Sequence, residues 1–202
     1  MSQRQSVALF PLKSVLFPDT VLQLKVFEAR YLDLASQCLR DDTPFGVVLM
    51  ASGAEAGRGD VRFEQHGVLA RIDQIDAEGP NLLRLRCIGG KRFSLVGSAT
   101  RRDNGLWVAD IELLPSDQVV SPDPMLFPTV QALQQVIASL IEKGTVPFAE
   151  PYRLDDAGWV SNRWCEILPI SLAAKQKLLE LEDPLTRLQL VDEYLRGKGV
   201  VS

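Results

Sequence analysis

The chain has 202 residues, 46% of them hydrophobic and 24% charged, which is ordinary for a soluble globular protein that buries a sizeable core. Residues 1–116 hold 14 basic and 14 acidic side chains and the rest of the chain holds 8 and 12, so neither half has the basic excess of a nucleic-acid module. We find no run of roughly 18 to 20 apolar residues and no signal peptide, and we therefore expect a cytoplasmic protein without membrane contact.

The first half of the chain shows the two-residue periodicity of β-strands. Val21–Phe27 alternates polar and apolar side chains, and Phe45–Met50 is apolar throughout, as in a strand covered on both faces. Two further pairs of strands flank the turns Asp76–Pro80 and Asp103–Gly105, and the Asn-Gly of the second turn favours a tight hairpin. These strands are Gly67–Ile75, Asn81–Ile88, Arg92–Arg101 and Leu106–Leu114. Such short, mostly antiparallel strands indicate a closed or half-closed barrel.

One helix interrupts the strands, and others follow them. Ala29–Arg40 has the spacing of an amphipathic helix, with an apolar stripe formed by Tyr31, Leu32, Ala35, Cys38 and Leu39. A proline-rich seam at residues 115–128 then introduces helical periodicity. This change predicts a β-barrel domain at residues 1–116 and an α-helical bundle domain at residues 117–202.

The predicted helices of the second half have recognisable ends. Gly144 is a suitable C-terminal cap for the first of them. The next helices begin at Asp155 or Asp156, at Ser171, and at Asp183 followed by proline, which are the residue types that cap helix N-termini.

The residues that catalysis or metal binding needs are few. His66 is the single histidine, and no nucleophile signature or phosphate loop accompanies it. Cys38, Cys87 and Cys165 are too scattered for a zinc site and odd in number for a disulfide framework, so we interpret them as buried thiols. We therefore expect no catalytic residue, no cofactor and no metal, although an enzyme that uses carboxylates alone remains an alternative.

Three features leave a binding role open. The stretch from Pro80 to Arg102 has six basic side chains and no acid, which fits either a phosphate-binding face or solvated strand faces. Residues 51–60 are glycine-rich and form either a flexible excursion or a binding loop. Trp159 lies off its helical stripe and Phe127 in a connection, which predicts either packing between domains or a partner surface.

The segment Phe27-Glu28-Ala29-Arg30-Tyr31 places two opposite charges between aromatic side chains at a strand-to-helix junction. Glu28 is favourable near a helix start and can accept hydrogen bonds from free backbone amides, while Arg30 can pair with it or with a neighbouring carbonyl. Either a structural clamp or a binding contact would use these residues. The clamp predicts that Glu28→Ala lowers the melting temperature sharply.

Several motifs together resemble one known family, the substrate-binding N-terminal domain of Lon protease. Phe10-Pro11-Leu12, Phe17-Pro18, the Phe27–Tyr31 segment and Phe45-Gly46 are similar to the start of that domain. "GGKRFSL" resembles its G-x-x-R-F strand, and Lys175–Val191 resembles its closing segment. The chain ends at Ser202 without the ATPase and protease modules of a complete Lon, so we expect a standalone version of the domain.

The resemblance implies an α+β fold, in which a PUA-like, mostly antiparallel β-barrel with one inserted helix precedes a C-terminal helical bundle. It also implies a non-enzymatic module that binds protein or peptide, including unfolded or partner polypeptide. The surface would be the crease between barrel and bundle or an exposed barrel edge. An RNA-binding PUA-like module is the alternative, although nucleic acid fits the charge poorly, and a homo-oligomer is left open. The candidate binding residues are Glu28, Arg30, Tyr31, Arg92, Phe127 and Trp159.

Overall fold

The computed structural model describes residues 4–51 and 61–201, and the chain divides into two compact units, Met1–Pro115 and Ser116–Ser202. The architecture is mixed α+β, as predicted. The strands of unit 1 are β1 Arg4–Leu12, β2 Val21–Val26, β3 Phe45–Met50, β4 Phe63–Gly79, β5 Leu82–Arg101 and β6 Trp107–Leu113, with helix α1 Ala29–Asp41 between β2 and β3. The helices of unit 2 are α2 Phe127–Glu142, α3 Ala157–Ile167, α4 Leu172–Glu180 and α5 Pro184–Gly197, preceded by a 3-10 helix, Pro124–Leu126.

The strand pairings of unit 1 run in a ring. From β6 they pass through β1, β3, β4 and β5, and β5 then pairs with β6 again. β1 and β3 are parallel, and the other pairs are antiparallel. β2 pairs with the first part of β5, so that long strand contacts β2 near its start and β6 near its end.

Two features of these strands differ from the prediction. β1 is a strand that we did not predict. Its Pro11 cannot donate a backbone hydrogen bond, and it lies beyond Leu9, the last β1 residue that pairs with β6. The strands predicted on either side of "GG" are one continuous strand, β5. Gly89 lies inside it because the segment before β2 approaches closely: Asp19 N donates to Gly89 O at 2.8 Å, and Gly89 N donates to Thr20 O at 2.9 Å.

The two predicted turns have different outcomes. β4 continues through most of the predicted turn Asp76–Pro80, and the chain reverses at Asn81, whose φ of 61° is tolerated by asparagine. The Asp103–Gly105 hairpin is confirmed, and Gly105 supplies a φ of 83°. Asn104 contributes through its side chain instead, which accepts a hydrogen bond from Leu106 N at 3.1 Å.

A core cluster of unit 1 is formed by residues of β1, β3, β4, β5 and β6, and the phenyl ring of Phe93 is fully buried in it. A Cβ atom at Gly67 would lie 2.6 Å from this ring, and one at Gly46 would lie 3.0 Å from it. The two glycines therefore make room for the ring. Helix α1 packs through Tyr31, Leu34, Ala35 and Cys38, so the predicted stripe is wrong at Leu39, which is 45% exposed.

Unit 2 is built around α3, in which every residue from Ala157 to Cys165 is buried. The predicted caps are confirmed: the side chains of Asp156, Ser171 and Asp183 accept hydrogen bonds from the first turns of α3, α4 and α5. Gly144 follows α2 with a φ of 76°. Trp159 is only 3% exposed, which corrects the prediction that it lies off a buried stripe. A helix covered on every side has no solvent face for such a residue.

The segment Pro124–Glu142 contains polar side chains, so it is not the apolar run that the sequence analysis excluded, but it meets a looser criterion for a helix that could span a membrane. Its 19 residues reach a mean hydropathy of 1.2, which meets that criterion by length and composition alone. Core helices of soluble proteins meet it too, and α2 buries Thr129, Leu133 and Ile137. The hydroxyl of Thr129 donates to Asp192 of α5 at 2.6 Å. This segment is weak evidence for a membrane location.

Candidate functional site

A pocket of about 540 Å³ lies in unit 1 and is lined by all four non-alanine residues of the Phe27–Tyr31 segment. Its walls also come from the ends of β1 and β3 and from the hairpin between β5 and β6. We call it the junction pocket. A second hollow of about 600 Å³, lined by the start of β4 and the end of β5, shares Val61 and Trp107 with it. The two hollows therefore adjoin each other on unit 1.

Aromatic side chains form the apolar part of the junction pocket. The rings of Phe10 and Tyr31 stack with their centroids 4.1 Å apart, and Trp107 meets Phe63 edge to face at 5.2 Å. Phe27 is 67% exposed on the pocket wall, although large apolar side chains are usually buried. The pocket thus offers apolar contact area that is open to a ligand.

Arg30 lies near the start of α1 and donates a hydrogen bond to the β5–β6 hairpin. Its Nη2 lies 2.6 Å from Glu28 Oε2, its Nη1 donates to Gly105 O at 2.9 Å, and its guanidinium carbon lies 4.7 Å from the centroid of the Tyr31 ring. The predicted pairing of Arg30 with Glu28 and with a carbonyl is therefore present. The Glu28 side chain does not cap the helix, because its carboxylate is directed to Arg30 instead.

A second guanidinium group, that of Arg101, contacts the same backbone carbonyl as Arg30 does. Arg101 Nε also donates to Gly105 O, at 3.3 Å. Burial raises the pKa of the Tyr31 hydroxyl, while the charges of Arg30 and Arg101 act in the opposite direction and Glu28 acts with burial. The phenol and both guanidinium groups therefore lie close enough to influence one another.

The contacts of Glu28 predict a smaller stability effect than its sequence position alone suggested. We expect Glu28→Ala to lower the free energy of unfolding by less than about 1 kcal/mol, because this carboxylate is 46% exposed and its attraction to Arg30 is screened by water. Urea denaturation measures the change. Arg30→Ala should cost more, since it also removes the bond to Gly105. A loss of about 3 kcal/mol or more in Glu28→Ala would contradict this expectation.

The other candidate residues do not meet at the junction pocket. Arg92 is 4% exposed and donates to Pro115 O at 3.4 Å, which corrects the prediction of a solvated strand face at this position. Phe127 is 49% exposed, but it lies in unit 2, and Trp159 is buried there against Phe148. The predicted binding loop is residues 51–60, of which residues 52–60 lie outside the described residues.

Two arginines of the basic stretch are neutralised by carboxylates of β4. Arg84 forms an ion pair with Glu78, and Arg86 forms one with Asp73. Arg101 is the member that lines the junction pocket. The sequence spacing could not show that Arg101, among these arginines, lines the pocket. Its position beside Arg30 depends on the hairpin between β5 and β6.

His66 is not among the residues that line the junction pocket. Over residues 4–51 and 61–201, no group of three or more histidine, cysteine, aspartate or glutamate side chains is placed to hold a metal ion. Cys38, Cys87 and Cys165 are free and buried, as predicted, and burial raises the pKa of the Cys87 and Cys165 thiols to about 12. These thiols therefore remain protonated at neutral pH.

The fold and the pocket define a mixed α+β protein with an open, partly aromatic cleft at a strand-to-helix junction. The model of the ATP-dependent protease La (Lon) substrate-binding domain matches residues 6–197. The chain belongs to this family. No protein with a curated description matches the chain.

Two solved structures are similar over nearly the whole chain. The Lon N-terminal domain protein from Xanthomonas campestris is 32% identical with a TM-score of 0.77, and the match covers 94% of this chain and 98% of that one. The N-terminal domain of the Mycobacterium avium complex Lon protease has a TM-score of 0.61, with 95% and 98% coverage. At 18% identity, the second likeness shows the fold alone.

Proposed function

We propose that this protein is a non-enzymatic module that binds polypeptide, in particular unfolded or partner segments, in the junction pocket. The observation that carries the proposal is the match of residues 6–197 to a domain defined by substrate binding in an ATP-dependent protease. The substrates of such a protease are proteins. The same match supports the absence of catalysis, because it is to the substrate-binding part of Lon and not to its ATPase or protease parts.

The surface of unit 1 is suited to an extended chain. The junction pocket and the adjoining hollow have volumes of about 540 and 600 Å³ and share two lining residues, so several residues of a bound segment have space along them. Phe27 and Trp107 supply apolar contacts on the walls. Glu28, Arg30 and Tyr31 supply polar groups beside them, which fits the general composition of ligand sites.

The finer description of the fold is part of this proposal. We infer that residues 1–116 form a PUA-like β-barrel, which the ring of strand pairings supports. We infer that residues 117–202 form a helical bundle, which the packing of α3 against α2, α4 and α5 supports. The free, buried cysteines support a cytoplasmic location.

The first test is binding of an unfolded protein to the purified chain. We expect saturable binding by fluorescence anisotropy, and we expect Phe27→Ser to weaken it by about tenfold, since a phenyl ring that leaves water on binding contributes roughly 1.5 to 3 kcal/mol. Leu39→Ser is the matched control, because Leu39 is 45% exposed on the same unit but does not line the pocket.

Two results would contradict the proposal. One is the absence of saturable binding to any unfolded protein. The other is an equal loss of affinity in Phe27→Ser and Leu39→Ser, which would show that binding does not depend on the junction pocket.

A further inference from the structure

The walls of the junction pocket carry more positive than negative charge. Lys13, Lys25, Arg30 and Arg101 line it, and Glu28 is the one acidic side chain among its described lining residues. Glu28 is already paired with Arg30 at 2.6 Å. The charge on these walls therefore favours an anionic occupant.

The four cations differ in how they are neutralised. Lys25 has a carboxylate at 3.7 Å, that of Glu78. Lys13 and Arg101 have no carboxylate within ion-pair distance in the part of the chain that the structure describes. Two positive charges thus remain available to a ligand.

Two guanidinium groups converge at one end of the pocket. Arg30 and Arg101 donate to the same carbonyl oxygen, that of Gly105, at 2.9 and 3.3 Å. The Nε of Arg30 is buried and has no hydrogen-bond partner among the described residues. Since a carboxylate accepts from guanidinium donors with a matching planar geometry, it would offset the repulsion between these two groups.

The other lining residues of the pocket indicate which further groups a ligand should carry besides a carboxylate. Phe10, Phe27 and Trp107 offer apolar surface within the same pocket. The cations come from the residue after β1 and from β2, α1 and β5, so they are distributed around the pocket and not gathered at one point. A segment with several acidic side chains matches this distribution better than a single C-terminal carboxylate does.

We propose that the junction pocket selects polypeptide segments in which acidic side chains alternate with apolar ones, and that Arg30 and Arg101 together bind one of the acidic side chains. This inference rests on the proposed function, because it names the class of segment that the same pocket binds. RNA is disfavoured as the anion, because the family is defined by the binding of a protease's substrates, and because Arg84 and Arg86 of the basic stretch are already paired with carboxylates.

The test uses short fluorescein-labelled peptides with blocked ends and alternating aspartate and apolar residues, and matched peptides with asparagine in place of aspartate. We expect the asparagine peptides to bind about tenfold more weakly, as for the loss of a charge-assisted hydrogen bond. Arg101→Glu should abolish this preference. Lys91→Glu makes the same change in net charge at an exposed position outside the pocket and should retain the preference.

Melting temperatures show whether each variant is folded, and Arg101→Gln replaces Arg101→Glu if the latter is not. Equal affinity for aspartate and asparagine peptides, with unfolded proteins still bound, would overturn this inference and leave the proposed function intact. Full recovery of affinity by an asparagine peptide with a free C-terminal carboxylate would also overturn it, as would displacement of the aspartate peptide by a single-stranded RNA at lower concentration. Failure of every peptide and unfolded protein to bind would reject the proposed function itself.

Discussion

Arg187→Met is expected to lower the free energy of unfolding of unit 2 by about 3 to 5 kcal/mol, which is the usual effect of removing one partner of a buried charge pair. Arg187 is 1% exposed and lies 2.6 Å from Asp117 through its Nη1. Its guanidinium group also donates to Leu178 O at 3.1 Å and to Leu181 O at 2.6 Å. Methionine preserves much of the side-chain length but leaves the carboxylate and both carbonyls without this donor.

Denaturation followed by tryptophan fluorescence measures this effect. Trp159 and Trp164 lie buried in unit 2, so a Trp107→Phe background makes the signal specific to that unit. Arg196→Met is the control, because Arg196 pairs with Asp192 but is 39% exposed, and we expect a change below about 1 kcal/mol. Similar losses in the two variants would contradict the expectation that the buried ion pair of Arg187 contributes more to stability than the more exposed pair of Arg196.

Phe93→Ala is expected to destabilise unit 1 by about 3 to 5 kcal/mol, as large-to-small changes of a buried aromatic residue do. The phenyl ring is 0% exposed and lies against Gly46 and Gly67, neither of which has a side chain to close the cavity. The strands β3 and β4, which carry these two glycines, would lose their contact with the phenyl ring. Urea denaturation followed by far-ultraviolet circular dichroism measures the shift.

Phe27→Ala is the matched control for this second variant, since Phe27 is 67% exposed and its removal creates no cavity. We expect Phe27→Ala to change stability by less than about 0.5 kcal/mol. A loss of only about 1 kcal/mol in Phe93→Ala would mean that the neighbouring strands close around the missing ring.

Local chemistry predicted the parts of the fold that depend on neighbouring residues. The caps at Ser171 and Asp183 and the hairpin at Gly105 follow from hydrogen bonds and φ values that need only a few residues. Gly89 shows the opposite case. The pair Gly89-Gly90 has the composition of a turn. It nevertheless lies inside β5, because residues 17–20, which are distant in sequence, pack against Gly89.

The family motifs acquire a physical reason in the core of unit 1. The glycine of Phe45-Gly46 and the phenylalanine of Arg92-Phe93 lie far apart in the sequence, but a Cβ atom at Gly46 would lie 3.0 Å from the Phe93 ring. The small residue and the large one are thus complementary. Sequence alone showed both motifs and could not show that they touch.

One wall of the candidate site was visible in the sequence. The Phe27–Tyr31 segment indicated the junction, and its residues line the pocket. The other wall brings in Arg101 and Trp107, and Arg30 reaches the hairpin across 75 positions of sequence. No spacing rule predicts such a contact, because it depends on how β5 and β6 pair.

Amide chemical shifts of isotope-labelled protein, recorded while an acidic, apolar peptide is added, measure most directly where a polypeptide binds. We predict saturable shifts at Phe27, Arg30, Tyr31 and Arg101 and at the indole N–H of Trp107, with little change along α2 to α5. Saturable shifts confined to the helices of unit 2, with these five residues unmoved, would contradict the junction pocket as the binding site.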